Sequence, residues 1–365
     1  MSPRNRTAGL LCLLALSALP TLAADNVGVI EIPDPRPYTQ VAAISDVHGE
    51  YARLRKLLAA AGLTREDGTW AGGKTLMVVV GDSLDKGPES LPVLEFWQDL
   101  MSGAAKRGGR VVVLLGNHEA EYLANPAGDS KSETVYTELK QRGLPENALA
   151  DPAQTIDHHA LGAFLHDLPL AARVGGWLFC HAGWIAKPVL AANYRGPDAN
   201  WKAFGDQTRR LLNRRNYGDR FFVGPDSILE KKSGASGKKW WKSPDDVRDL
   251  EYRLDSYGLR GVVLGHQPGA FGLDEQVGAF HANRETNRFF KTDSGMAPVV
   301  AGERGSGGTK SARDGYPGHL LLFTHPSELM SPLGPDPAHV LSVGFDRTPG
   351  GGYVFTRKAG VASEN

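Results

Sequence analysis

The sequence predicts a mixed α/β protein, with repeated β-α units at its start and hairpin-like strands later. Seven short apolar or β-branched runs are bounded by turn residues, as expected of buried strands. Helical periodicity separates the first three runs, which gives β-α-β-α-β in the opening third. With 365 residues, 41% hydrophobic and 22% charged, the chain has enough apolar material for a large core.

The predicted strands have continuous apolar character, which is typical of strands buried on both faces. In chain order they are Val41 to Ile44, Thr75 to Val80, Arg110 to Leu115, Trp177 to Phe179, Gly261 to Leu264, His319 to Thr324 and Val340 to Val343. The later runs indicate a second, mixed sheet.

The predicted helices lie between and after these runs. The clearest are Tyr51 to Ala61 and Leu91 to Met101, and we expect a third from Gln154 to Leu165. Asn125 to Asp151 and Ala186 to Asp249 lack strong strand signals and are expected to cover one face as helices and loops. The composition of Lys231 to Lys239 predicts a flexible loop.

The first 24 residues have the pattern of a secretory leader. Arg4 and Arg6 precede the apolar run Leu10 to Leu19, and Ala23 and Ala24 offer a cleavage site. About ten apolar residues are too few to span a bilayer, which needs about 20. We therefore predict a signal peptide over 1–24, export to the periplasm and no stable membrane insertion. Residues 25–365 are expected to form one domain, with a motif-bearing core from about 38 to 300 and C-terminal strands from about 315 to 358.

Composition limits the partners and the kind of site. The 41 basic and 41 acidic side chains balance, so no polyanionic partner is implied and nucleic-acid binding is disfavoured. The only cysteines, Cys12 and Cys180, cannot build a disulfide scaffold or a cysteine zinc cluster. Cys180 is expected to be a buried, inert thiol.

Metal-ligand side chains follow five of the apolar runs. The motifs are Asp46-Val47-His48-Gly49, Gly81-Asp82-Ser83-Leu84-Asp85-Lys86-Gly87, Gly116-Asn117-His118-Glu119, His181-Ala182-Gly183 and Gly265-His266. Because ligands bind at the carboxyl ends of strands in open α/β sheets, these ends can converge on one crevice. Singly, each motif is usually a helix cap or a core histidine, but five in order favour a site for two divalent cations that share a carboxylate.

On these motifs the chain resembles the calcineurin-like metallophosphoesterase superfamily over roughly Val41 to Met296. The complete Gly-Asn-His-Glu block and the single histidine of the last block resemble the phosphoprotein phosphatase branch, and within it most resemble the bacterial Shewanella-like protein phosphatases. The resemblance implies a calcineurin-like β-sandwich of two mixed sheets flanked by helices, with a cover of helices and loops over the metal site.

The resemblance also implies a role for each motif residue. It implies two divalent cations, one held by Asp46, His48 and Asp82 and the other by Asp82, Asn117, His181 and His266. Asp82 would bridge them, and His118, oriented by Asp85, would protonate the leaving oxygen. Asn117 would also contact the substrate phosphate.

Two departures from the family pattern bear on substrate and metal. Lys86 stands where the family usually has an arginine, so a point charge replaces a two-pronged fork. The last block reads Gly265-His266-Gln267-Pro268 and lacks the second histidine of many related phosphodiesterases, which favours Mn or Fe type octahedral ions, with Zn²⁺ as the alternative. Trp240-Trp241-Lys242 resembles a Trp-x-Arg segment that brings a second cation to phosphate, with Lys in place of Arg; the alternative, which the sequence favours, is the surface anchor of a mobile loop.

Other polar residues are less strongly indicated as site residues. Adjacent in a predicted helix, His158 and His159 cannot form a metal-binding pair and are expected to be structural or solvent-facing. Asp293 either braces a ligating imidazole or ends a strand. Glu119 is expected to support the site without binding metal.

The leading functional hypothesis is a phosphomonoesterase in which a metal-bridging hydroxide attacks phosphorus in line. Its expected substrates are proteins phosphorylated on serine, threonine or tyrosine, or small phosphomonoesters. One alternative is a nucleotide or dinucleoside-polyphosphate hydrolase, and aromatic residues expected in the cover (Trp184, Trp201, Tyr217) do not separate the two. Another is a metal-containing phospho-ligand binding protein without turnover, against which His118 and Asp85 argue.

Overall fold

The computed structural model describes residues 25–128, 132–188, 196–235, 237–273, 276–283, 286–297, 304–305, 308–309 and 317–359. The predicted leader lies outside them. The strands are β1 (Val29–Ile32), β2 (Gln40–Ile44), β3 (Thr75–Val79), β4 (Arg110–Val113), β5 (Ala171–Val174), β6 (Trp177–Cys180), β7 (Gly261–Leu264), β8 (Gly278–Asn283), β9 (Thr286–Lys291), β10 (Arg304–Gly305), β11 (Gly308–Thr309), β12 (His319–Phe323), β13 (Val340–Arg347) and β14 (Tyr353–Ala359). The helices are α1 (Tyr51–Ala60), α2 (Ser90–Ala105), α3 (Asn117–Ala124), α4 (Glu133–Gln141), α5 (Leu161–Asp167), α6 (Pro197–Asn213) and α7 (Pro244–Ser256).

Two six-stranded mixed sheets form the core. One has the strand order β14-β13-β12-β2-β3-β4 and the other β1-β5-β6-β7-β9-β8, while β10 and β11 make a short separate ribbon. The neighbours β2, β3 and β4 are parallel, as are β6 and β7 in the other sheet. The predicted mixed two-sheet fold is confirmed, and the parallel strands bring the motif-bearing ends to the same edge of each sheet.

Side chains that alternate along each central strand fill two apolar layers. In β2, Val41 and Ala43 belong to the cluster between the sheets, whereas Ala42 and Ile44 belong to the cluster beneath the helices. Phe290 of the second sheet meets Phe323 of the first edge-on, with ring centroids 5.3 Å apart. Because both faces of these strands are buried, their sequences are apolar without interruption.

The seven predicted strands are all present, and the last runs on to Arg347. The strands β1, β5, β8, β9, β10, β11 and β14 were not predicted. Their sequences explain why: β14 is an exposed edge strand rich in polar residues, and β1 and β5 are only four residues long. Such strands lack the apolar run that identifies a central strand.

The helix predicted from Gln154 to Leu165 is wrong, because α5 begins only at Leu161. Asp157 and His158 have φ of 47° and 73°, which reverse the chain so that Ile156 and His159 pair through their backbones. The segment predicted as a flexible loop, Lys231 to Lys239, contains an isolated backbone bridge, between Ser233 and Lys239. Local turn chemistry thus replaced helical periodicity at Asp157 and His158.

The expected helices and loops do cover the sheets in the later part of the chain. However, Trp184, Trp201 and Tyr217 are 2%, 7% and 1% exposed, so they are core residues and not substrate-facing members of a cover. Trp240 packs against Trp184 and Phe271 in the same aromatic cluster. Of the helices in the described ranges, none has the length and apolarity needed to cross a membrane.

Glu138 of α4 makes the stability of the fold depend on pH. Its two carboxylate oxygens accept hydrogen bonds from the Leu91 amide at 3.2 and 3.1 Å, and burial raises its pKa from 4.5 to about 7. A raised pKa contributes stability that is complete below pH 4.5 and is lost as the pH rises through about 7. Relative to Glu138→Gln, the wild type should therefore lose at most about 3 kcal/mol of unfolding free energy across this window.

Urea unfolding of both proteins at pH 5 and pH 8 measures this difference. Glu133→Gln, an exposed glutamate in the first turn of the same helix, is the matched control. A difference between wild type and Glu138→Gln that is the same at both pH values would contradict the prediction.

Candidate metal centre

The five sequence motifs meet at the edge where the parallel strands end. Backbone hydrogen bonds join the turns after β2 and β3, from the amide of Asp46 to the carbonyl of Gly81 at 3.1 Å and from that of His48 to the carbonyl of Asp82 at 3.0 Å. In the other sheet, the Gly265 amide donates to the His181 carbonyl at 2.8 Å. The side chains that follow the five strands therefore share one small volume.

Asp82 lies at the centre of this volume. Its Oδ2 is 3.2 Å from Nε2 of His181, 3.5 Å from Nε2 of His48 and 3.9 Å from Nε2 of His118. Two groups of potential ligands, His48-Asp82-His118 and Asp82-His181-His266, each have their ligand atoms within 4.8 Å of one another. Asp82 belongs to both groups, which is the position a bridging carboxylate must occupy.

Asp46 and Asn117 complete the cluster. Asp46 Oδ1 lies 3.7 Å from His48 Nε2, and its Oδ2 accepts a hydrogen bond from the His266 amide at 2.9 Å. Asn117 Oδ1 lies 3.0 Å from His181 Nε2. All six predicted ligands are thus in one place, each within 4 Å of a partner from a different strand end.

Backbone carbonyls fix the hydrogens of two imidazoles. His48 Nδ1 contacts the Leu84 carbonyl at 3.0 Å, and His181 Nδ1 contacts the Val80 carbonyl at 2.9 Å. Because a carbonyl only accepts, each Nδ1 donates its hydrogen to that carbonyl, and the other ring nitrogen, Nε2, faces the cluster. Both histidines are therefore oriented so that Nε2 is the nitrogen available to a metal.

The electrostatics of the cluster fit divalent cations. Burial and the nearby carboxylate of Asp293 raise the pKa of Asp46 well above its usual value. Burial opposes protonation of His181, but the carboxylates of Asp82 and Asp46 outweigh it and raise its pKa to about 10. Among the described residues, the buried Nε2 of His266 has no hydrogen-bond partner. Carboxylate, amide and imidazole groups together form a ligand set that can hold divalent cations.

The backbone is strained at the same residues. Six of the ten described non-glycine residues with positive φ are predicted site residues, namely Asp46, His48, Asp82, Asp85, Lys86 and His266. Such conformations cost about 1 to 3 kcal/mol each and cluster at functional sites. Gly265 is required for a different reason: a Cβ there would lie 2.4 Å from Asp46 Oδ2.

Glu119 supports the loop that carries Asp82. Its two oxygens accept hydrogen bonds from the amides of Asp82, Ser83, Leu84 and Gly116 at 3.0, 2.7, 2.9 and 2.8 Å. Burial, together with the charge of Asp82, raises its pKa to about 7. Since four amides occupy the carboxylate, Glu119 positions the turn, in agreement with the interpretation from sequence.

His118 and Asp85 form a pair beside the cluster. His118 Nδ1 lies 3.2 Å from Asp85 Oδ2, and the Thr134 hydroxyl donates to Asp85 Oδ1 at 2.6 Å. Burial acts to raise the pKa of Asp85, but these hydrogen bonds outweigh it and leave the pKa below its usual value. Thr134 was not indicated by any sequence motif; it lies in α4, 49 residues after Asp85.

The two lysines predicted to bind phosphate lie in different surroundings. Lys86 Nζ is 2.6 Å from His48 Nε2, directly at the cluster. Lys242 is exposed, and its neighbours Trp240 and Trp241 are buried. Burial and the positive charges of His181, Lys232 and Lys86 lower the pKa of His266.

The remaining residues singled out from the sequence fall into two groups. Asp293 is 2% exposed and its charge acts on Asp46, so it lies beside the cluster, with Oδ1 accepting from the Gly295 amide at 2.8 Å. Cys180 is buried with its pKa raised to about 12, as expected of an inert thiol. His158 is exposed and His159 contacts Asp99 at 3.1 Å, away from the cluster.

Lys291 is a site residue that the sequence did not reveal. It is fully buried, and its ammonium group donates to the carbonyl oxygens of Pro268 and Leu273. These carbonyls belong to the loop that follows His266, so Lys291 anchors that loop. A lysine at the end of an apolar strand gives no such signal until its partners are known.

Comparison with known proteins yields one family and several relatives. The model of the calcineurin-like phosphoesterase family matches residues 39–270. Shewanella-like protein phosphatase 1 of Plasmodium berghei is 34% identical over 263 residues, which cover 71% of this chain and 67% of the relative. The symmetrical bis(5'-nucleosyl)-tetraphosphatase of Methylococcus capsulatus is 32% identical over 184 residues, 49% of this chain and 56% of the relative. The crystal structure of the cold-active protein-tyrosine phosphatase of a psychrophilic Shewanella species has the same fold, with a TM-score of 0.54 at 20% identity over 90% of this chain and 82% of that one.

Proposed function

The chain belongs to the calcineurin-like phosphoesterase family, and from this premise we propose that it is an exported phosphoprotein phosphatase that works with two cations of the Mn or Fe type. The observation that carries the proposal is the shared carboxylate of Asp82 between two ligand groups, with the His118-Asp85 pair beside it. A binding protein without turnover has no use for that pair.

The proposed ligands divide between two cations. Asp46, His48 and Asp82 hold one, and Asp82, Asn117, His181 and His266 hold the other. When bound, the cations would activate a water molecule and neutralise the phosphoryl oxygens. Glu119 and the buried backbone turns keep these ligands in place before substrate arrives, so little reorganisation is needed.

His118 is proposed as the general acid for the leaving oxygen. Asp85 engages its Nδ1, which directs Nε2 toward the cluster, and Thr134 holds Asp85 in turn. A carboxylate on Nδ1 stabilises the charged imidazole that an acid requires near neutral pH. The same pair would take up a proton again in the next turnover.

Lys86 is proposed to bind the substrate phosphate. His48 Nε2 has one lone pair, so it cannot serve the Lys86 ammonium and a cation together. If His48 held a cation, the Lys86 ammonium would have to turn from the imidazole and would be free to bind a phosphoryl oxygen of the substrate. The phosphate-binding role of Lys242 stays a prediction.

Substitution of Lys86 tests this role. Lys86→Arg should lower KM for phosphomonoesters, because a guanidinium can form two parallel hydrogen bonds to the phosphoryl group. The expected gain in binding free energy is about 1 kcal/mol, or about fivefold in KM. Lys86→Ala should lose more than that in kcat/KM. Steady-state kinetics on an aryl phosphate measures both, with Lys106→Ala at the exposed end of α2 as control. A wild-type kcat/KM for Lys86→Ala would show that Lys86 does not bind phosphate.

A second candidate substrate class is the dinucleoside polyphosphates, because one relative that matches about half of this chain carries that name. Turnover of a phosphotyrosine peptide, a phosphoserine peptide and diadenosine tetraphosphate with added Mn²⁺ separates the two classes. We expect a phosphopeptide to have the highest kcat/KM. A higher value for the dinucleotide would support the alternative.

Export is proposed from the leader-like segment 1–24 alone. Expression of the full chain and of a chain that begins at Asp25, followed by cell fractionation, tests it. Periplasmic phosphatase activity is expected only from the full chain. Equal distribution of the two forms would contradict export.

A further inference from the structure

Glu121 lies one helical turn beyond Asn117 in α3. The spacing of four residues places the two side chains next to each other on one face of the helix. Both are buried, and Asn117 Nδ2 donates a hydrogen bond to Glu121 Oε1 at 3.2 Å. A proposed metal ligand is thus in direct contact with a carboxylate that has no role in the chemistry proposed above.

The other side of the Asn117 amide faces the metal ligands. Asn117 Oδ1 lies 3.0 Å from His181 Nε2, and that nitrogen lies 3.2 Å from Asp82 Oδ2. The amide group therefore stands between Glu121 on one side and two proposed ligands of the second cation on the other.

An asparagine can bind a cation in only one of its two amide orientations. The oxygen has lone pairs for a metal, whereas the amide nitrogen has only hydrogens to present. The two atoms are similar in size, so hydrogen bonds and not packing decide which of them faces a given direction. Because a carboxylate only accepts, Glu121 requires the nitrogen of Asn117 on its side and leaves the oxygen directed at the cluster.

We propose that Glu121 is a positioning residue for the second cation, which it serves by fixing the amide of Asn117 with the oxygen toward the metal. This inference rests on the proposed function, in which Asn117 is a metal ligand. Outer groups that orient metal ligands are commonly worth about 10- to 100-fold in metal affinity.

The role of Glu121 differs from that of Glu119 in the same helix. Glu119 accepts from backbone amides of the turn that carries Asp82, whereas Glu121 contacts the side chain of a ligand. Glu121 also lies two residues beyond the Gly-Asn-His-Glu block, outside the motif that assigned the site residues. Its role becomes visible only from its contact with the Asn117 amide.

Isothermal titration of the metal-depleted full chain with Mn²⁺ tests the proposal. Glu121→Met keeps the length of the side chain but removes the acceptor, so one of the two Mn²⁺ ions should bind about 10 to 100 times more weakly. The matched control is Glu138→Met, which removes a carboxylate of similar burial that accepts from the Leu91 amide instead of a proposed ligand. The control should bind Mn²⁺ as tightly as wild type.

The same substitution in an Asn117→Asp background separates orientation from charge. Aspartate presents an oxygen to the cation in either rotation, so it needs no partner to orient it. In that background, Glu121→Met should weaken Mn²⁺ binding by no more than about twofold, the margin within which independent changes add. Loss of a nearby negative charge, or damage to α3, would instead weaken binding in both backgrounds.

Two results would overturn the positioning role. One is Mn²⁺ binding by Glu121→Met that is as tight as in wild type, and the other is an equal loss with Asn117 and with Asp at this position. Both leave the proposed function intact. A wild-type chain that binds fewer than two Mn²⁺ ions would overturn the proposed function, and this inference with it.

Discussion

Replacement of Asp82 by asparagine is expected to abolish turnover and to release both cations. Asp82 Oδ2 lies within 3.9 Å of His181, His48 and His118, so it contacts a proposed ligand of each cation as well as the proposed acid. Burial acts to raise the pKa of Asp82, but the imidazoles of His181 and His118 outweigh it and hold the pKa well below its usual value. The carboxylate is thus ionised in the folded protein and available to two cations.

Asparagine at position 82 changes charge and chemistry together. The substitution removes one negative charge from both ligand groups, and an amide oxygen does not bridge two cations as a carboxylate does. If the amide nitrogen takes the place of Oδ2, it presents hydrogens to lone pairs that should bind metal. A loss of several kcal/mol of transition-state stabilisation corresponds to at least about 10³-fold in kcat.

Metal analysis after desalting, together with kcat on an aryl phosphate, measures both effects. Asp293→Asn is the matched control, because it also removes a buried carboxylate beside Asp46 but is not a proposed ligand. We expect the control to retain two cations. Two equivalents retained by Asp82→Asn at the wild-type rate would refute the assignment of Asp82 as the bridge.

The positions of the proposed ligands could be predicted because strand direction is encoded locally. An apolar run that ends in Asp46 or Asp82 places the carboxylate at the carboxyl end of a strand, and parallel strands end at the same edge. The β-α-β-α-β order was readable for the same reason. Convergence of the second sheet on the same edge rested on the family resemblance and not on the periodicity.

Contacts between residues far apart in the chain could not be predicted. Thr134 reaches Asp85 across 49 residues, and Lys291 holds carbonyls of a loop about 20 residues earlier. No local pattern specifies such a pair, because each side chain alone is an ordinary surface or strand residue. Left-handed backbone at His48 and His266 was equally hidden, since only the surrounding hydrogen bonds impose it.

Edge strands and turns could not be predicted for a related reason. Strand β14 is held by its pairing with β13 and not by burial, so its sequence carries no apolar signal. The turn at Asp157 and His158 is the opposite case. Its sequence is compatible with a helix, but two residues with positive φ reverse the direction of the chain. In both cases tertiary context outweighs local propensity.

Replacement of His118 by asparagine is expected to leave both cations bound while turnover falls by about 10² to 10⁴, the usual effect of losing a positioned general acid. The metal centre should survive because residue 118 supports it through the backbone: the His118 amide donates to Asp82 Oδ1 at 3.0 Å, and asparagine keeps that amide. The side chain alone carries the acid, with Asp85 at 3.2 Å from Nδ1.

The dependence of the rate on the leaving group distinguishes the loss of a general acid from damage to the metal site. An alkyl phosphate expels a poor leaving group that needs a proton, whereas a nitrophenyl phosphate expels one that does not, so His118→Asn should slow the alkyl substrate much more. A damaged metal site would slow both equally.

Thr134→Val, which removes only the hydroxyl bonded to Asp85, should give a smaller loss with the same dependence on leaving group, because Asp85 then orients the imidazole less firmly. An unchanged rate on the alkyl phosphate for His118→Asn would show that the proton comes from another group.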